Sequence, residues 1–159
     1  MSSPDSHARR LHDVWRQVLR HRHYMRHAIN ALAARRPLDA ATLATLDDDA
    51  VQAMDQFVLR FGKLQDTLGT RLVPAMLDAL QEPYEDRPML DKLNRLEKLG
   101  LLDSTASWEK LRALRNHFAH EYPDDPALRA AYLEQGFEAA QSIEAILQRI
   151  GGRFGLDLD

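Results

Sequence analysis

Four side chains of complementary chemistry stand close together in the segment LRALRNHFAHEY, residues 111–122: Arg115, Asn116, His120 and Tyr122. Histidine both accepts and donates a proton near neutral pH, and arginine makes bidentate, charge-assisted bonds to phosphate. Together they suit metal-independent cleavage of an RNA phosphodiester. In that reaction His120 takes the 2'-hydroxyl proton or protonates the leaving oxygen, Arg115 stabilises the phosphorane-like charge, and Asn116 orients the phosphate or the imidazole. The chain lacks glycine-rich phosphate loops, Ser/His/Asp orders and carboxylate-rich metal sets. It also has no cysteine, which excludes disulfide scaffolds, thiolate zinc sites and cysteine nucleophiles.

The spacing predicts how a helix would carry these groups. At about 100° per residue, Trp108, Leu111, Leu114, Phe118 and Tyr122 share one side as a core-facing stripe. Arg115 falls at its edge, where a guanidinium needs an anionic partner. That partner is either a structural carboxylate or a bound phosphate. Asn116 and His120, four residues apart, stack on the opposite side. Pro123 disfavours helical geometry at Tyr122, so the helix is expected to end near His120 or Glu121. Arg115 and His120 then point about 140° apart, and one histidine must serve as both acid and base. A symmetric dimer bringing two such helix ends together eases both problems.

The remaining chain reads as the scaffold for that stretch. Leu11, Val14, Trp15, Val18, Met25, Ile29 and Leu32 set a helical period from about Ser6 to Ala34. After a connection from Pro37 to Thr45, either Thr45 or Asp47 caps a second long helix. Its stripe is Val51, Met54, Phe57, Val58, Phe61, Leu64, Leu68 and Leu72, and Asp47, Asp48 and Asp49 suit its N-terminal dipole. Gly62 and Gly69 lie on the edge of that stripe. Each costs about 1 kcal/mol against alanine in a helix, which points to close approach by another backbone, internal or from a second subunit. Helices one and two, with this glycine pair, are the candidate dimer interface.

Pro74 is expected to kink or reset the second helix before AMLDALQ. A shorter helix follows, with Pro88 in its first turn and Gly100 as left-handed cap. Ser104 or Ser107 caps the helix of the opening stretch. A last helix carries Leu128, Tyr132, Ala139, Ile143, Ile146, Leu147 and Ile150. With no strand-like alternation and no internal repeat, the prediction is all-α: an antiparallel four- to five-helix bundle, two long N-terminal helices followed by shorter ones. One domain is expected over residues 1–159, frayed at 1–5 and in the tail 151–159.

Net charge is −3, so no global attraction to nucleic acid is predicted, yet the charge is uneven. Residues 7–27 hold six arginines and five histidines against Asp13, and residues 39–55 hold five aspartates without a lysine or arginine. Arg16, Arg20, Arg22 and Arg26 are candidate RNA-binding residues on a phosphate-tracking face, or a plain solvated face. His23 and His27 are spaced as two metal ligands, but no third stands at a recognisable spacing. No segment has the roughly 18 apolar residues of a membrane span, and the N-terminus lacks a signal-peptide run. The expected setting is cytoplasmic.

Arg115, His120 and Tyr122 also match the pattern Rx4HxY, with Asn116 directly after the arginine. In this the sequence resembles the HepT-like HEPN-domain toxins of toxin–antitoxin pairs. DQFVLRFGKLQDTLG and MLDKLNRLEKLGLLDS resemble the second and third helices of that family, and the similarity spans roughly residues 45–150. The resemblance implies a four- to five-helix bundle and a homodimer with a composite cleft. It further implies metal-independent endoribonuclease activity on RNA, tRNA among the candidates, with no cofactor. The partner it implies is a minimal nucleotidyltransferase antitoxin that transfers AMP from ATP to the motif tyrosine, here Tyr122, and so silences the toxin. AMP beside Arg115 would block the cleft and satisfy the cation that RNA must meet. His117, inside the motif, has no implied role. The alternatives are a non-catalytic partner of a nucleotidyltransferase, and a helical dimer in which the motif only stabilises the bundle.

Overall fold

Ser3 starts the first helix: its Oγ accepts the N–H of Ser6, and Pro4 occupies the first turn, where its missing N–H costs nothing. A computed structural model of the protein describes residues 3–120 and 124–159. The first helix, α1 (Pro4–Leu32), buries Leu11, Val14, Trp15, Val18, Met25 and Leu32. It begins inside the stretch expected to fray. Within the Pro37–Thr45 connection, Asp39 caps a short helix, α2 (Ala40–Ala44).

Asp47, rather than Thr45, caps α3 (Asp48–Thr67), accepting the N–H of Ala50 at 2.9 Å. The chain then widens into a π-turn over Leu68–Leu72, where the N–H of Val73 donates to the carbonyl of Leu68. It resumes as α4 (Val73–Ala79) with Pro74 in the first turn. The wider turn accommodates a residue that has no N–H to give and whose ring crowds the preceding carbonyls. The expected reset is thus a π-turn within one continuous rod.

Polar contacts between α1 and this rod run in opposite order along the two chains. Arg10 pairs with Asp78, Arg71 reaches Gln17, Arg60 meets His21 and Arg35 pairs with Asp47, so the two long N-terminal helices pack antiparallel. Next come α5 (Met89–Lys98), closed by Gly100 at φ +76°, and α6 (Thr105–Phe118), capped by Ser104 through the N–H of Ser107 at 3.0 Å. Trp108 of α6 faces Gly69 of the π-turn, and Phe118 packs edge-on against Phe57 and Phe61. The glycine pair therefore serves an internal contact. Gly69 admits the Trp108 indole and Gly62 faces the Arg115 stem.

The closing helix, α7 (Pro126–Phe154), corrects two expectations. It spans 29 residues, as long as α1, so the later helices are not all short. Nor does the segment after residue 150 fray. Gly151 to Phe154 are helical, and Gly155 takes φ +64°, which favours glycine. The N–H of Leu156 donates to the carbonyl of Gly151 at 2.9 Å. A Cβ on Gly151 would stand 2.7 Å from the carbonyl oxygen of Leu156, so this turn demands glycine twice. Leu156 is buried, and the indole N–H of Trp15 donates to the carbonyl of Asp157 at 2.7 Å. Among the described residues the fold is all-α with no strand.

Candidate functional site

The C-terminal half of α6 lies along α3, and between them opens a groove of about 340 Å³. Gln65 and Asp66 line it from α3, Gly69 and Thr70 from the π-turn, Trp108, Arg112, Arg115 and Asn116 from α6, and Met89 from the start of α5. Arg112, Arg115 and Asn116 are at i, i+3 and i+4, so one helical face presents two guanidiniums and an amide together. Two of the residues read from the sequence, Arg115 and Asn116, thus share one open site.

The anionic partner that Arg115 needed is Asp66: Nη2 donates to Oδ2 at 2.8 Å. The two side chains are 36% and 45% exposed, so the pair is worth at most about 1 kcal/mol. That is too little to bar a phosphate from taking the place of the carboxylate, since arginine accepts phosphate in the same forked geometry. Asp66 therefore orients the guanidinium across the groove without sealing it.

His120 does not join them. Arg112, Asn116 and His120 would form one row along a continued helix, but α6 ends at Phe118 and the N–H of Ala119 donates to the carbonyls of both Arg115 and Asn116 at 3.2 Å. The helix stays wound through the arginine, and its last turn tightens as the N–H of His120 donates to the carbonyl of His117 at 3.2 Å. His120 is exposed just beyond this end and is not among the groove-lining residues. The unwinding that would bring Arg115 and His120 together in one chain is absent. Tyr122, the position of the expected modification, lies outside the described residues.

His117 stacks on Tyr132 of α7 with ring centroids 4.1 Å apart and planes 14° from parallel. Phe118 sits over Gly136, where an added Cβ would come within 2.7 Å of its ring. These two contacts fix the end of α6 to α7, and so fix where His120 emerges. Gly136, Asp66 and Arg112 were not singled out in the sequence. Arg112 was recoverable from its spacing to Arg115 and Asn116, whereas nothing local identifies which carboxylate Arg115 meets.

The four α1 arginines divide. Arg16, Arg20 and Arg26 are exposed, but Arg22 is 8% exposed and is withdrawn as an RNA contact. It lies in the buried row with Val18 and Met25, where a guanidinium must be partnered. Its Nε donates to Glu144 at 2.7 Å, and Nη1 donates to the carbonyl of Leu158 at 2.8 Å. His23 and His27 are exposed, and among the described residues no three His, Cys, Asp or Glu side chains group as metal ligands would. No helix among them is long and apolar enough to cross a membrane. No family model, curated protein or solved structure matches this chain.

Proposed function

We propose that this chain is a HEPN-like, HepT-type metal-independent endoribonuclease toxin, working as a homodimer in the setting of the cytoplasm. In this reading Arg115 anchors the scissile phosphate, Asn116 orients it, and His120 of the facing subunit transfers the proton. A cognate nucleotidyltransferase silences the toxin by AMP transfer to Tyr122. The observation that carries the reading is the open groove in which Arg115 and Asn116 stand together, the guanidinium held by a carboxylate that a phosphate can displace. The position of His120 outside the groove of its own chain favours a cleft completed by a second copy.

Cleavage of purified tRNA or mRNA in the presence of chelator tests the proposal. The expected result is cleavage that falls by at least about 100-fold in Arg115→Ala or in His120→Ala. Co-expression of the two variants separates a composite cleft from a single-chain one. A mixed dimer then carries one intact Arg115–His120 pair across the interface and recovers up to half the activity. Intact RNA, or cleavage indifferent to both substitutions, overturns the proposal.

The alternative, a non-catalytic partner of a nucleotidyltransferase, is favoured by the same separation of His120 from the groove. It predicts added AMP mass on the Tyr122 peptide, after incubation with ATP and the transferase, without RNA cleavage by the unmodified protein.

A further inference from the structure

A second cluster lies on the seam between α1 and α3, built from residues that the groove does not use. Tyr24 is 37% exposed, and two guanidiniums approach its ring: Arg60 of α3 at 4.7 Å from the centroid and Arg20 of α1 at 5.5 Å. Lys63, one turn from Arg60, extends the cationic edge into solvent. His21 ties the helices together, its Nδ1 accepting from Nη1 of Arg60 at 3.0 Å. Burial, then the charges of Arg60, Lys63 and Arg20, hold the His21 imidazole below its ordinary pKa. A neutral ring is what an acceptor for arginine requires.

Among the described residues no carboxylate pairs with these cations. Among the described residues, ion pairs occupy Arg10, Arg22, Arg35, Arg36, Arg87, Arg95, Arg115 and Arg149, and none involves Arg20, Arg60 or Lys63. In α1 the nearest acid, Asp13, precedes Arg20 by seven residues. In α3 Asp66 is engaged by Arg115, and Asp55 lies about 140° around the helix from Arg60. The Nε of Arg60 is buried and has no hydrogen-bond partner. Cations crowd an exposed aromatic ring with no ion pair among the described residues to neutralise them, at a cost in mutual repulsion that a bound polyanion removes.

We infer that this α1–α3 seam is a binding site for single-stranded nucleic acid, with a base stacked on Tyr24 and the adjoining phosphates held by Arg20, Arg60 and Lys63. An aromatic platform flanked by cations is the chemistry that single strands require. An acidic protein surface would use the charges and leave the ring idle. Arg20, the more exposed and more distant guanidinium, is the one a base displaces, and it then reaches a flanking phosphate. Nucleic acid is the ligand class of the proposed ribonuclease too, but the residues differ, so the two readings fail separately.

Anisotropy of a labelled short oligothymidylate, which lacks the 2'-hydroxyl and so cannot be cleaved by that reaction, tests the site on the full chain. Three phosphate contacts predict a slope of log K against log salt of about −2, and Arg20→Ala with Lys63→Ala shrinks it to roughly −0.7. Tyr24→Ala weakens binding by about 5- to 150-fold with the slope unchanged. Tyr24→Phe keeps the affinity. Arg20 and Lys63 are exposed, so the slope comparison stands even if Tyr24→Ala unfolds. Absence of binding at low salt, or a slope unaffected by the double substitution, overturns the inference. So does competition by polyglutamate as effective as that by unlabelled oligonucleotide, which would mark the seam as a dock for an acidic protein.

Discussion

Asp66 gives Arg115 a resting partner that is weak enough to leave. At 2.8 Å the bond is well formed, yet both side chains are more than a third exposed and water screens them. Asp66→Asn removes a competitor for the guanidinium without removing a hydrogen-bonding group. Titration with uridine 3'-monophosphate is expected to show up to about 5-fold tighter binding in this variant, since the pair holds back at most about 1 kcal/mol. The melting temperature should move little. Unchanged or weaker affinity would mean that Arg115 is committed to structure, and would favour the stabilising role over the phosphate anchor. Arg22 is the contrasting case: buried and bound by Glu144 and a backbone carbonyl, it has no freedom to meet a ligand. Two arginines that look alike in sequence therefore have opposite uses, decided by burial.

At the scale of the elements, the position of the α6 terminus depends on glycines used in different ways. Gly136 of α7 leaves room for Phe118, and an added Cβ would fall 2.7 Å from that ring and 3.0 Å from Phe57. Gly136→Ala is expected to destabilise the protein by about 1–3 kcal/mol through overpacking and to shift the end of α6 that carries His120. Gly62 has only the Arg115 stem near it, with Cγ 4.0 Å from a built Cβ. Gly62→Ala is therefore expected to stabilise by about 0.5–1 kcal/mol, by removing backbone freedom from the unfolded chain. Chemical denaturation of the two variants checks this pair. A common sign would show that glycine packing, as described, does not set the site.

For the whole molecule, the C-terminal segment acts as a strap. Leu156 is buried, the Trp15 indole bonds Asp157, and Arg22 bonds Leu158, so the last residues bind α1 at two levels. Truncation after Gly155 strips one buried leucine, worth about 2 kcal/mol, and three hydrogen bonds, of which the one from the guanidinium is worth about 1.5–3 kcal/mol. A loss of about 3 kcal/mol or more is expected. For a chain of this size that lowers the melting temperature by roughly 6–12 °C. An unchanged melting curve would return the tail to the frayed state expected of it. The strap and α7 hold one side of α1, α3 and α4 the other, leaving the outer arginines and the Tyr24 seam facing solvent.

How much was legible beforehand depended on how local each cause is. Helix positions followed from the 3.6-residue period of the apolar side chains and from caps at Ser104 and Asp47, both of which act within four residues. The need of Arg115 for an anion was equally local, a matter of one guanidinium at the edge of a stripe. Which anion answers it was not, because Asp66 and Arg115 are 49 residues apart and meet only when α3 and α6 pack. Fraying was the natural reading of GGRFGLDLD, since glycine lowers local order; Leu156 and the distant Trp15 and Arg22 reversed it. By itself the sequence determined which long segments are helices and which residue types are available for chemistry, because propensity, capping and periodicity act between near neighbours. Only the tertiary structure decided which charges are paired, which glycines are filled from outside, and that Arg115 and Asn116 share a groove that His120 does not enter. Those outcomes depend on contacts between helices far apart in the chain.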